Sequence, residues 1–163
     1  VRQDDQIEAS RGAPIMTTPA EPFENTVHTT NIWIKEIMEE LDWQDRHRTY
    51  QALRTVLHAL RDRLTTEEVA DLGAQLPMLI RGLYYEGWRP SGKHPGRRHK
   101  EEFLAPIADA FRDNPEIYPE GVAWAVFKIL QRHVSAGEIA DVMHILPREI
   151  RSLWPEAEIR HGG

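Results

Sequence analysis

The stretch Glu68-Val69-Ala70-Asp71-Leu72, with Leu76-Pro77 and Ile80-Arg81-x-Leu83 after it, occurs twice. It returns as Glu138-Ile139-Ala140-Asp141-Val142, Leu146-Pro147 and Ile150-Arg151-x-Leu153, at a constant shift of 70 residues and without a gap. A fixed period marks duplicated architecture. The body of the chain is therefore expected to be two copies of one multi-helix unit, and every element must pack in a way that works twice.

Local signals say what the unit contains. Trp33, Ile34, Ile37, Met38 and Leu41 follow the one-sided spacing of an amphipathic helix. That helix is expected to begin near Val27, and Asp45 to cap the next one, which carries Leu53, Val56, Leu57, Leu60 and Leu64. Thr65 with Glu68 reads as a capping box, and Leu64 with Val69 as its hydrophobic staple. Val134, Ser135, Glu138 and Ile139 repeat all four choices. Pro77 and Pro147 should each stop one helix and open a short one. Phe103, Leu104, Ile107, Ala108 and Phe111 restart the pattern at the same shift, with Pro106 predicting a kink or a restart. Pro119 opens a further helix carrying Ala123, Val126, Phe127, Leu130 and Val134. No alternating strand pattern is present, so the fold class is all-α.

Residues 1–24 are rich in Pro, Thr, Ala, Glu and Asp without apolar periodicity, and are expected to be a disordered tail. Either this is a genuine tail, or Met16 is the native start, with Val1 read from a valine codon upstream; Met16-Thr17-Thr18-Pro19 looks like an ordinary beginning and favours the second. One helical domain is expected over residues 25–158. It divides into a first repeat at about 27–86, a basic Gly/Pro-rich loop at 87–99 and a second repeat at about 100–155, with residues 159–163 as a disordered end.

Several blocks together resemble the bacterial family catalogued as domain of unknown function 2267. They are Trp33-Ile34-Lys35-Glu36-Ile37, Trp43-Gln44-Asp45-Arg46-His47-Arg48, the run from Leu53 to Leu64, the run from Leu76 to Trp88, and His133-Val134-Ser135-Ala136-Gly137-Glu138-Ile139. The resemblance spans roughly Phe23 to Glu158. It implies a compact, orthogonally packed helical bundle, and it implies no activity, cofactor or catalytic residue.

Bulk composition narrows the function classes. The chain has 163 residues, 40% of them hydrophobic and 28% charged, which suits one domain with a substantial core. A net charge of −6 argues against a general nucleic-acid binder, while a local basic patch stays compatible with it. Absence of Cys excludes disulfides, thiolate metal sites and thiol nucleophiles. With no membrane-length apolar run and no signal-like start, a cytoplasmic protein is expected.

Candidate chemistry is sparse. Arg89, Lys93, Arg97, Arg98 and Lys100 cluster near Trp88, His94 and His99, the ingredients of a phosphate or nucleic-acid contact, although Glu101 and Glu102 blunt the charge. Otherwise the loop is a solvated connector. The eight His residues show no His-x-x-x-His spacing, so no metal site and no cofactor are expected. Ser135 is already a cap, and no serine sits in a Gly-x-Ser-x-Gly elbow. Asp71 with Arg81, and Asp141 with Arg151, are expected to bridge and fix an interhelical angle. Trp124 falls outside its helix's apolar stripe and Trp88 lies in the loop, so both are candidate interface anchors. The reading that results is a non-catalytic helical module working through protein contacts, with a homodimer as one form. Phosphate or nucleic-acid binding through residues 89–100 is the alternative.

Overall fold

A computed structural model describes Thr18, residues 20–90 and residues 99–156. Among the described residues, all regular structure is helical. The elements are α1 (Glu21–Leu41), α2 (Arg46–Arg61), α3 (Thr66–Gln75), α4 (Met78–Tyr85), α5 (Lys100–Ala110), α6 (Pro119–His133), α7 (Ala136–Ile145) and α8 (Arg148–Arg151).

The local signals act as chemistry requires. The Asp45 carboxylate accepts from Arg48 N–H at 3.1 Å and opens α2. The Thr65 hydroxyl accepts from Glu68 N–H at 3.1 Å, and the Ser135 hydroxyl from Glu138 N–H at 3.3 Å. Leu76 and Leu146 are extended, and the carbonyls of Pro77 and Pro147 take the first bonds of α4 and α8. Asp42 ends α1 in the left-handed region at φ 53°, where a short polar side chain is tolerated.

Three expectations need correction. α1 begins at Glu21 rather than near Val27, because Pro22 in its first turn, with Glu21 and Glu24, makes a favourable N-terminus. α5 does not restart at Pro106 but continues through it, and the exposed position of Pro106 leaves the Glu102 carbonyl to solvent. The Asp71–Arg81 bridge does not form. Arg81 instead donates to the carbonyls of Gly73, Ala74 and Leu76 at 2.7–3.1 Å, closing the C-terminus of α3. The intended effect, fixing α3 against α4, is reached through backbone acceptors.

Packing runs across the sequence midpoint. α2 packs on α1, α4, α5 and α6; α1 also packs on α6, and α3 on α7. The pairs α1·α6 and α5·α2 exchange under the 70-residue shift, as do the partners in α2·α6 and α3·α7. Large side chains fill the centre, with Trp33, Ile37, Leu57, Phe103, Ile107 and Phe127 almost wholly buried. Phe127 stacks on Trp154 with centroids 4.1 Å apart and planes 6° from parallel, and tilts against Phe103 at 6.0 Å.

Buried polar anchors lock the periphery. Arg61, only 6% exposed, donates through Nη1 to the carbonyls of Tyr84 at 2.6 Å and Glu86 at 2.7 Å. It thereby satisfies the C-terminus of α4. Gln131, one period later, donates more modestly to the Pro155 carbonyl at 3.1 Å. On the outside, Glu36 and Glu40 of α1 meet Lys128, Arg132 and His133 of α6 at 2.6–3.7 Å. The His133 imidazole also stacks on Trp33 at 4.9 Å.

Candidate functional site

An apolar groove of about 860 Å³ lies between α1, α2 and α4. Its α1 wall is one helix face carrying Phe23, Val27, Thr30 and Ile34. Its α4 wall is Met78, Leu79, Ile80 and Leu83, and Tyr50 and Leu53 of α2 contribute the third side. Phe23 is 60% exposed, Met78 53%, Val27 50% and Leu79 48%. Isolated exposed hydrophobics are ordinary, but a cluster around one concavity marks an interaction surface.

The groove is rigid at its seams. The Thr26 hydroxyl accepts from Leu79 N–H at 2.9 Å, and the Thr30 hydroxyl donates to the Thr26 carbonyl at 2.7 Å. The first of these bonds pins α1 to the N-terminus of α4, and the second lies within α1. At the α2 end, the Arg46 guanidinium donates to Asn31 Oδ1 at 2.6 Å, with His47 beside it stacked on Tyr50 at 6.1 Å. Glu86 on another lip is paired with Arg54 at 3.5 Å. The unbalanced formal charge among the groove-lining residues is therefore that of Arg46. Under the groove, His58 Nε2 lies 2.7 Å from the Leu83 carbonyl, and burial lowers the imidazole pKa below its ordinary value.

A second polar feature sits elsewhere, where α3 meets α7. Glu68 and Glu138 are each 9% exposed, and the Oε1 oxygen of each is buried. Burial, a hydrogen bond to Glu68 and the repulsion of Glu68, Asp71 and Asp141 push the Glu138 carboxyl up from 4.5 to about 7. Tyr84, its phenol also raised by burial, faces the pair from α4 and donates to the Val69 carbonyl at 2.9 Å. So the reciprocal half of the expected capping boxes does not form at the second copy. Ser135 N–H is taken by the Gln75 side chain at 2.9 Å, and the Glu138 carboxyl turns to Glu68.

This pair has a pH signature. The folded chain holds a proton on Glu138 that an unfolded chain releases near 4.5, so its contribution to stability falls as pH rises from 4.5 through about 7. His58, lowered in the fold, has the opposite slope, losing stability as pH falls through 6.5. Glu138→Gln keeps the hydrogen bond and removes the titration. Urea melts from about pH 5 to 8 should show it gaining on the parent as pH rises, the His58 contribution cancelling in the difference. Equal pH profiles for the two proteins would contradict the raised Glu138 carboxyl.

Lys93, Arg97 and Arg98 lie outside the described residues. Arg89 is exposed. Lys100 pairs with Glu120 at 3.1 Å, which raises its pKa, and its backbone N–H reaches Glu149 at 2.9 Å. That bond holds the Glu149 carboxyl below its ordinary range, and His99 lies 3.4 Å away on the same carboxylate. Trp88 is half-buried against Tyr85, with centroids 5.7 Å apart. Trp124 is 38% exposed on α6 with Lys128 Nζ 4.9 Å from its ring centre. Neither tryptophan lines the groove. Among the described residues, no group of three or more His, Asp or Glu side chains is placed to hold a metal ion. No helix there is long and apolar enough to cross a membrane.

Sequence reasoning missed the groove. Phe23 and Val27 fall in or beside a stretch read as tail. The available signal was the series Phe23, Val27, Thr30, Ile34, which carries the α1 face backward at helical spacing. Met78-Leu79-Ile80 was the other, since a short helix cannot bury three consecutive apolar side chains on one side.

An all-helical bundle with an open apolar groove is the class of protein that fold and site define. The chain belongs to the family described as an uncharacterized conserved protein, DUF2267, which matches residues 30–153. No curated protein matches it.

Proposed function

We propose that this protein is a non-catalytic cytoplasmic helical module acting through protein contacts, and that the groove between α1, α2 and α4 takes the apolar face of a partner helix. The observation that carries this reading is the gathering of Phe23, Val27, Met78 and Leu79, all about half exposed, around one preformed concavity. From Phe23 to Ile34 the α1 wall is about 16 Å long, room for three turns of helix. An amphipathic helix laid in such a groove anchors through side chains at i, i+3, i+4 and i+7. The polar groups of the floor already serve the fold, Thr26 on Leu79 and Asn31 on Arg46, and the remaining surface is suited to burying apolar area.

The test is an NMR titration of the full chain with a designed amphipathic helix bearing an acidic flank. Shift changes confined to amides of α1, α4 and the start of α2, and lost in Val27→Asp, are expected. Shift changes elsewhere, or none at millimolar peptide, would overturn the reading. A contact made through Trp124 instead would survive Val27→Asp and disappear in Trp124→Ala.

A further inference from the structure

We infer that the helix seated in the groove is α1 of a second copy of this chain, the two α1 helices crossing antiparallel about a two-fold axis. This rests on the groove being a helix-docking surface, as proposed above, and adds the identity of the occupant. Two observations select a second copy. The first is that knob and hole occupy the same patch. Phe23 is the most exposed apolar side chain of the groove and lies in the first turn of α1. A closed two-fold interface requires such a self-complementary patch, because each surface must serve as both partners.

The second observation is charge. Phe23 is flanked by exposed Glu21 and Glu24 in the first turn of α1. The opposite end of the groove carries Arg46 and His47, where Arg46 is bonded to Asn31 of α1. Antiparallel pairing of two α1 faces sets Phe23 of each copy toward the Ile34 end of the other. Glu24, on the Asn31 edge of the α1 face, then faces Arg46 of the partner copy. Both contacts occur twice by symmetry. Glu86 does not oppose this, since Arg54 already pairs with it at 3.5 Å. Oppositely charged flanks around a buried apolar centre set orientation and encounter rate, while the centre supplies the affinity.

Sedimentation equilibrium of the full chain tests it by charge reversal. The parent is expected as a concentration-dependent dimer. Val27→Asp, at the apolar centre, should weaken dimerisation by about thirtyfold or more. Glu24→Arg and Arg46→Glu should each weaken it by about tenfold. The double variant carries the swapped pair on both copies and should recover most of the loss. Circular dichroism melts of each variant confirm that the fold is intact. A parent that stays monomeric at millimolar concentration, yet binds the designed helix in the groove, would overturn the second-copy assignment and leave the docking surface standing. A monomer that also fails to bind the helix would overturn both. A dimer indifferent to Val27→Asp, or a double variant no better than the singles, would place the dimer contact elsewhere and overturn the inference.

Discussion

Phe127→Ala should cost about 4 kcal/mol of folding stability, the largest effect expected of any single substitution here. Phe127 is wholly buried in α6, stacked face to face on Trp154 at 4.1 Å and tilted against Phe103 at 6.0 Å. Truncation removes both ring contacts and leaves a cavity whose walls come from α5, α6 and the segment after α8. Those walls are held by other contacts, such as Gln131 on the Pro155 carbonyl at 3.1 Å, so collapse into the void is restricted. The loss is transfer free energy plus unfilled cavity. A chain of this length would melt about 8–16 °C lower. Denaturant melts showing less than about 2 kcal/mol would mean the centre of the bundle repacks freely, contrary to its interdigitated rings.

Arg61→Met should come next, at about 3 kcal/mol. The guanidinium is 6% exposed and its Nη1 holds the carbonyls of Tyr84 and Glu86, while Nε reaches Asp62 at 3.2 Å. Methionine is close in length, so packing is largely kept while both acceptors lose their donor. The end of α4 would then loosen, and with it the wall of the groove that carries Leu83. Gln131→Leu, one period later, removes a single neutral hydrogen bond and should cost only about 1 kcal/mol. The contrast between the two variants is the readout. Equal costs would show that the charged cap at Arg61 adds nothing to an ordinary amide contact.

Much of the fold was legible because its signals are local. Thr65 and Ser135 are caps in any context where Glu68 and Glu138 follow at three residues, and Pro77 and Pro147 interrupt a helix whatever packs on it. Other features depend on tertiary arrangement. Arg81 could be seen to tie α3 to α4, but choosing Asp71 over three free carbonyls required knowing how α3 ends. Arg61 reads as one more cation at the end of an amphipathic helix until α4 is seen to end against it. The Glu68–Glu138 pair is spelled in the repeat itself. Glu68 and Glu138 stand 70 residues apart in the sequence match, and α3 packs on α7, which carries them. The groove was the least legible feature, since its α1 wall extends into composition typical of a tail. A groove is also made by what three helices leave uncovered, which no single-helix pattern encodes.

The most direct measurement is an intermolecular distance across the proposed docking surface. The chain contains no Cys, so His28→Cys, at an exposed position midway along the part of α1 that lines the groove, would carry one spin label. Helices packed in contact lie about 10 Å apart between axes. Dipolar spectroscopy of the labelled full chain should therefore show an intermolecular distance of about 20 Å or less, abolished by Val27→Asp. A distance of twice that, or no intermolecular coupling at concentrations where the parent sediments as a dimer, would contradict α1 as the occupant of its partner's groove.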